Sequence, residues 1–539
     1  MPNHETPDCL SWGDSVFLNL EREGMPLNVA GISILEGKIG FQDFVDFVDS
    51  KLPLIPRYLK KVVTPPLNAA LPSWDFDRSF DIRNHVREVA LKHGTTTELK
   101  ALVGKVLGNV MDREHPLWDM TLVHGLKGDC TALIARMHHC LADGIAGVGI
   151  MNVLMDTSPT LAPLPKHKAR VRVPRRRDAM SSLVDGLASS YSNFVDRVLS
   201  SWADVLNITE RTLGGVENAD SEEIAELMPE LTAPTQRLRF NVIYRGPQKF
   251  ACTEIPLDEV KRIRQARGTS VNDVLLTLVA ATIRRYSEFH GDHLKGRFIR
   301  IMVPVNLRGN DAAPGVGNHI SLVAVTIPLD IRDPRKLLAA VHRRTEFLKR
   351  THAAELIGLT AGLLGVLPNP LQALAGPYIS QLPITPFNMV CTSVPGPQFP
   401  LYLLRHKMLR WYPYVPVGGE LALNCAILSY DGKVYFGFSS DAHAVPDLSR
   451  LEKLLQANFT ELCEGAGIRA SRKTPTRQRP TKAQKSTAVS TAARSEPKAV
   501  EPTNRKAPVP IQPPPQVADS SPTDRSTAKK EMTVLQQTA

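Results

Sequence analysis

Along the first 155 residues the apolar positions switch between a period of two and a period near 3.6. Val29 to Leu35 reads as a strand, Phe41 to Leu52 as a helix and Glu98 to Met111 as a second helix. Thr121 to His124 and Thr131 to Met137 read as strands separated by the turn signal Lys127-Gly128-Asp129. A small apolar helix, Ile145 to Met155, comes after them. Between 158 and 178 the pattern dissolves into prolines and bases. Leu183, Leu187, Tyr191, Phe194, Val198, Trp202 and Val205 then recur every three or four positions, which predicts one amphipathic helix. A second strand-rich half begins near Leu238. Its predicted strands include Gly296 to Pro304, Ile320 to Leu329 and Phe387 to Val394, with a hairpin turned at Asp431-Gly432. Helices are predicted over 257–267, 273–289, 335–350 and 446–463. The pattern divides the chain into an α/β half at 1–157, a basic linker with an amphipathic helix at 158–237, a second α/β half at 238–465 and a tail at 466–539.

Charge sharpens that division. The 539 residues carry a formal net charge of +11, which at first suggests a nucleic-acid or anionic-membrane binder. Residues 466–539 hold 14 basic and 5 acidic residues, ten prolines, one glycine and no aromatic residue. Such a stretch cannot bury enough apolar surface to offset its ordering entropy, so it is expected to be disordered. The remaining body is nearly neutral, which argues against nucleic acid as a partner. The amino terminus shows neither a basic nor an apolar leader region, and no run reaches the ~18 apolar residues of a spanning helix. Seven scattered cysteines without a C-x-x-C pair fit neither a disulfide scaffold nor a cysteine zinc site. The expectation is a cytoplasmic protein that touches a membrane without crossing it.

One constellation carries chemistry: Arg136-Met137-His138-His139-Cys140-Leu141-Ala142-Asp143-Gly144. The apolar strand delivers two adjacent histidines to its carboxyl end, where side chains leave the sheet and can meet a substrate. Histidine suits proton abstraction because its ordinary pKa of about 6.5 lies near neutral pH. Adjacent strand residues point to opposite faces, so one histidine can face a given cavity while the other does structural work. The same divergence argues against a metal held by these two histidines and the aspartate.

His138-His139-x-x-x-Asp143-Gly144 resembles the signature of the bacterial wax ester synthase/diacylglycerol acyltransferase family, within the chloramphenicol acetyltransferase-like, CoA-dependent acyltransferases. The resemblance covers about residues 8–463. It includes Asp112-Arg113, Pro116-Leu117-Trp118, Asn272-Asp273, Pro304-Val305-Asn306-Leu307-Arg308, Gly317-Asn318, Val394-Pro395-Gly396-Pro397 and Ser429-Tyr430-Asp431-Gly432. It implies an α/β fold of two chloramphenicol acetyltransferase-like domains with the active site at their interface. It also implies O-acyl transfer from acyl-CoA to diacylglycerol, a long-chain alcohol or both, as in triacylglycerol and wax ester synthesis. His139 would be the general base, with no covalent acyl-enzyme, no metal and no cofactor, since acyl-CoA is a substrate. His138, Asp143, Gly144, Asn272, Asp273 and Arg308 would support it, Arg308 as the partner of Asp143. Pro116, Leu117 and Trp118 would lie near the acyl channel. Cys140 stands where alanine is common, and Ser393 where asparagine often precedes the V-P-G-P run.

Plainer readings stand beside these. Asn272-Asp273 also fits a helix N-cap, with Asn272 accepting from free N–H groups and Asp273 suiting the dipole. Pro116-Leu117-Trp118 also fits core packing. Gly144, Gly147 and Gly149 need only close helix packing, not a dinucleotide. Lys166 to Arg177 beside the amphipathic helix suggests a peripheral site on the inner face of the plasma membrane or on lipid inclusions. Two rivals are a same-fold acyltransferase using a carrier-bound thioester and a non-catalytic protein of the lipid-droplet surface.

Overall fold

Thr131 to Met137 lies in the middle of a six-stranded sheet in the computed structural model, which describes residues 8–68, 70–141, 144–160, 221–306, 320–351 and 386–468, with Leu371 and Leu374 besides. The expected helix at 183–206, most of the basic linker, Asp143, Arg308, Gly317, Asn318 and nearly all of the tail lie outside the described residues.

In that sheet β6 (Cys130–His138) runs antiparallel to β1 (Asn28–Glu36) on one side and to β5 (Trp118–Leu126) on the other. The edge strand β4 (Val86–Ala90) runs parallel to β5. Leu133, Ala135 and Met137 of β6 enter one apolar cluster, and Ala132 and Ile134 enter another. Both faces are covered, so the strand reads as a continuous apolar run. The first cluster receives Phe44, Phe47 and Val48 from α2 (Phe41–Lys51) and Met151 and Leu154 from α4 (Gly144–Leu154). The second receives Leu99, Val103 and Leu107 from α3 (Thr96–Leu107). That helix stops before Met111 because Gly108 succeeds it. Arg136 Nη1 donates to the carbonyls of Val106 and Asn109 at 2.6 and 2.9 Å. The pattern did not reveal a short α1 (Trp12–Leu20), capped by Ser11, or a two-stranded sheet of β2 (Lys60–Val63) and β3 (Ser73–Phe76).

The second sheet is built from β7 (Gln248–Pro256), β8 (Phe298–Asn306), β9 (Ile320–Pro328), β10 (Met389–Pro395), β13 (Leu423–Tyr430) and β14 (Lys433–Asp441). Across it the strands take the order β7-β14-β13-β10-β8-β9. The helices of this half are α5 (Ser221–Thr232), α6 (Leu257–Arg267), α7 (Val271–Phe289), α8 (Pro334–Arg350) and α9 (Ser449–Gly465). The predicted hairpin forms: Tyr430 faces Lys433, and Asp431 and Gly432 take φ of 42° and 76°, as a two-residue turn with both φ positive requires.

The two halves interlock. Strands β11 (Tyr402–Leu403) and β12 (His406–Tyr414) come from the second half of the chain yet extend the first sheet, β12 pairing antiparallel with β1. Where β12 passes β14, a Cβ on Gly437 would lie 1.8 Å from the Pro413 carbonyl oxygen, so glycine is required. Side chains stitch the crossing: the Tyr412 hydroxyl donates to Glu254 and the Tyr414 hydroxyl to Gln248. The chain divides into a unit Met1–Arg472, which holds both sheets, and a second unit Lys473–Ala539.

Candidate active site

His138 ends β6 and His139 opens the turn after it. Backbone bonds from both neighbouring strands clamp this point. His138 N–H donates to Leu117 O at 3.0 Å, His139 N–H to Leu27 O at 2.9 Å, and Leu141 N–H returns to His138 O at 2.9 Å. The histidines fare differently. The His138 side chain is wholly buried, whereas His139 is half-buried and stacks its ring on Phe17 of α1, with centroids 3.9 Å apart.

The polar partners of His138 identify its tautomer. Its Nδ1 accepts from the Cys140 N–H at 3.1 Å, so Nδ1 carries no proton and Nε2 does. Nε2 lies 3.4 Å from Glu21 Oε1, a long contact between side chains only 0 and 1% exposed. Glu21 caps the end of α1. Its Oε1 also accepts from the Leu27 N–H at 3.0 Å, and its Oε2 from Arg113 at 3.1 Å. Burial pushes the Glu21 carboxyl up, but His138, the Leu27 N–H and Arg113 together hold it below the ordinary carboxylate range. Arg113 also donates to Leu18 O at 2.8 Å, satisfying a terminal carbonyl of α1.

Arg136, two residues before His138 and on the same face of β6, forms a buried fork with Asp119 of β5, its Nε 3.0 Å from Oδ1. Removing either partner of such a pair typically costs about 3–5 kcal/mol. Cys140 lies in a cluster with Leu10, Leu18, Trp74, Met111 and Leu117. Burial there pushes its thiol well above the ordinary range, which denies it the thiolate a nucleophile needs.

Pro116, Leu117 and Trp118 are all buried. Trp118 stacks between Tyr58 at 4.6 Å and His85 at 4.5 Å, and its indole N–H donates to Tyr58 O at 2.8 Å. This is core packing in the described structure. The cap of α7 is Ser270, not Asn272. Ser270 Oγ accepts from the Asp273 N–H at 3.1 Å, and Asp273 Oδ2 accepts from the Ser270 N–H at 2.8 Å. The helix therefore starts earlier than the Asn-Asp pair suggests. Asp273 also accepts from Thr345 at 2.7 Å and His342 at 2.8 Å, tying α7 to α8. Gly144 begins α4, and its partner motif residues Asp143 and Arg308 lie outside the described residues.

The second half meets this region through apolar surface. Leu428, Tyr430 and Tyr435 join Met137, Met151 and Leu154 in one cluster, against which the half-buried Leu141, Val148, Ile150 and Val394 pack. The V-P-G-P loop is fixed to the hairpin behind it: Gly396 N–H donates to Ser429 Oγ at 3.3 Å and Asp431 N–H to Pro397 O at 3.1 Å. Ser393, on β10, is half-buried. No group of three or more potential metal ligands occurs among the described residues.

Residues 10–275 match the family model of the wax ester synthase/diacylglycerol acyltransferase catalytic domain, and residues 316–463 match that of the WS/DGAT C-terminal domain. The chain belongs to the wax ester synthase/diacylglycerol acyltransferase family. As a member it is an acyltransferase. A probable diacylglycerol O-acyltransferase of Mycobacterium tuberculosis, tgs2, is 28% identical over 474 residues, 86% of this chain and 100% of that protein. Another from the same organism, tgs1, is 26% identical over 444 residues, 82% of this chain and 92% of its own length. Among solved structures, the wax ester synthase/diacylglycerol acyltransferase from Marinobacter aquaeolei VT8 superposes with a TM-score of 0.60 at 23% identity, over 86% of this chain and 100% of that one. The first condensation domain of the calcium-dependent antibiotic synthetase gives 0.52 at 12% identity, over 87% and 98%. These likenesses place the family member in the two-lobed chloramphenicol acetyltransferase-like fold that the motifs implied.

Phe17 and Glu21 escaped the sequence reading. A signal was present in Glu21: a carboxylate at the carboxyl end of an apolar helix opposes the helix dipole and calls for a local compensating partner.

Proposed function

We propose that this acyltransferase moves a long-chain acyl group from acyl-CoA to the hydroxyl of a diacylglycerol or a long-chain alcohol, with His139 as general base. The observation that carries the assignment is the contrast at the end of β6, where His138 is sealed in and His139 is only half-buried. His139 takes the acceptor's hydroxyl proton as that oxygen bonds to the thioester carbonyl carbon. The tetrahedral oxyanion then collapses, the C–S bond breaks, and the CoA sulfur leaves with the proton returned by the imidazolium. No enzyme nucleophile is needed, in keeping with the raised pKa of the Cys140 thiol. Acyl-CoA enters as a substrate, so neither cofactor nor metal takes part. The half-buried Leu141, Val148, Ile150 and Val394 suit an alkyl chain rather than a polar acceptor. The names of the mycobacterial relatives support diacylglycerol as an acceptor.

A lipid-soluble acceptor calls for access to a membrane or inclusion surface, and we assign that contact to the basic linker. No helix among the described residues is long and apolar enough to cross a membrane. The deciding experiment offers palmitoyl-CoA with diacylglycerol and hexadecanol in parallel to the full-length protein and its His139→Ala variant, following free thiol and separating products. Wild-type turnover with loss of at least about 10²-fold in the variant is expected. Equal turnover by both would overturn the reading.

A further inference from the structure

Both histidines are touched by one turn of α1. Phe17 and Glu21 are four residues apart, hence on one side of the helix end, and they meet His139 and His138 respectively. Resting on the general-base role of His139, we propose that Glu21 is a positioning residue of the acyl transfer. It selects the Nε2–H tautomer of His138, and that tautomer closes the turn presenting His139.

The alternatives each fail at one or both ends of the ring. With the proton on Nδ1, two donors would face each other 3.1 Å apart at Cys140, and the bare Nε2 would face the carboxylate at 3.4 Å. Doubly protonated, the ring would satisfy Glu21 but repel the Cys140 N–H. Only Nε2–H with a free Nδ1 suits both neighbours, and neither side chain can turn to water instead. Cys140 N–H and His138 Nδ1 bracket His139 in sequence, so this bond sets the turn's shape. Glu21 is held in place by the Leu27 N–H and Arg113, and Arg113 is itself seated on Leu18 O. The chain of contacts therefore runs from α1 through Arg113, Glu21 and His138 to the backbone beside the base, and Phe17 supports the ring of His139 from the same helix.

The test compares Glu21→Leu and Glu21→Gln in the full chain. Leucine removes the acceptor, whereas glutamine keeps an amide oxygen for His138 Nε2–H. Glu21→Leu is expected to lose about 10²-fold in kcat, as ~1 Å misplacement of a catalytic group typically does, with KM for acyl-CoA within about twofold. Glu21→Gln is expected to recover at least a tenth of wild-type kcat. Histidine-selective 15N NMR should show an Nε2–H imidazole that persists in wild type and Glu21→Gln and gives way to a mixture of tautomers in Glu21→Leu, where only the Cys140 N–H still favours it. Wild-type kcat in Glu21→Leu, or equal loss in both variants, would overturn the proposal. Should Glu21→Leu not fold, an Nδ1–H signal in a fully active Glu21→Gln would overturn it equally. His139→Ala separates the two readings. If it is dead while Glu21→Leu is normal, only the positioning role falls; if it is fully active, the general base falls.

Discussion

Replacing Trp118 by phenylalanine separates a core role from an acyl-channel role for the Pro116-Leu117-Trp118 run. The indole of Trp118 is 2% exposed, lies between the rings of Tyr58 and His85, and donates to Tyr58 O at 2.8 Å. Phenylalanine keeps an aromatic face for both rings but removes the donor, leaving a buried carbonyl without its partner at a cost of about 1–3 kcal/mol. The smaller ring forfeits volume and contact worth about 1–2 kcal/mol more. The two losses together come to about 3 kcal/mol. For a unit of this size the unfolding entropy is about 1 kcal/mol per kelvin, so the expected fall in Tm is only ~3 °C. Differential scanning calorimetry reads that shift. Initial rates with decanoyl- and palmitoyl-CoA then report on chain selection, and their ratio should match wild type. An unchanged Tm with an altered ratio would refute the packing argument and make Trp118 a wall of the channel.

Three further outcomes are expected. Cys140→Ala should keep kcat within about threefold of wild type, and iodoacetamide at pH 8 should leave Cys140 unmodified by peptide mapping, because its thiol stays protonated in the apolar cluster. Gly437→Ala should destabilise by about 3 kcal/mol or abolish soluble expression, since the added methyl would meet the Pro413 carbonyl of β12, which pairing with β1 holds in place; a wild-type urea midpoint would contradict this. The carboxyls of Glu21, Asp273 and Glu254 are all held below their ordinary values against the opposing effect of burial, Glu21 and Glu254 by hydrogen bonds and nearby cations, Asp273 by hydrogen bonds from Thr345, the Ser270 N–H and His342. Their unfolded forms therefore bind protons first as pH falls. Their contribution is complete above the ordinary carboxylate range and is lost as pH drops through the folded values, so urea stability should decline below about pH 4.5 and Asp273→Asn should flatten that decline.

Local chemistry made much of this legible in sequence. Thr131 to Met137, the helix beginning at Phe41 and the Asp431-Gly432 turn each depend on neighbours within a few positions, and each formed. The histidine pair was legible because side chains at a strand end leave the sheet. The features that escaped depend on distant partners. His406–Tyr414 has no clear alternation because it lies against β1 on one edge and crosses the second sheet near Pro413. Glu21 gains its meaning only when Arg113 and His138 arrive. Ser270 was overlooked because the Asn-Asp pair behind it looked like a sufficient cap, although Asp273 works instead as the third residue of the helix.

The loan of β12 to the first sheet has a consequence for synthesis. The ribosome completes β1 at Glu36, yet the strand that covers its outer edge does not emerge until His406–Tyr414. At ~5–20 residues per second the edge stands open for roughly 20–75 s on the nascent chain. An uncovered apolar strand edge is a template for mispairing. Expression of this protein should therefore respond to chaperone supply and slow on cold induction, and the two halves should be recovered together by co-expression rather than singly.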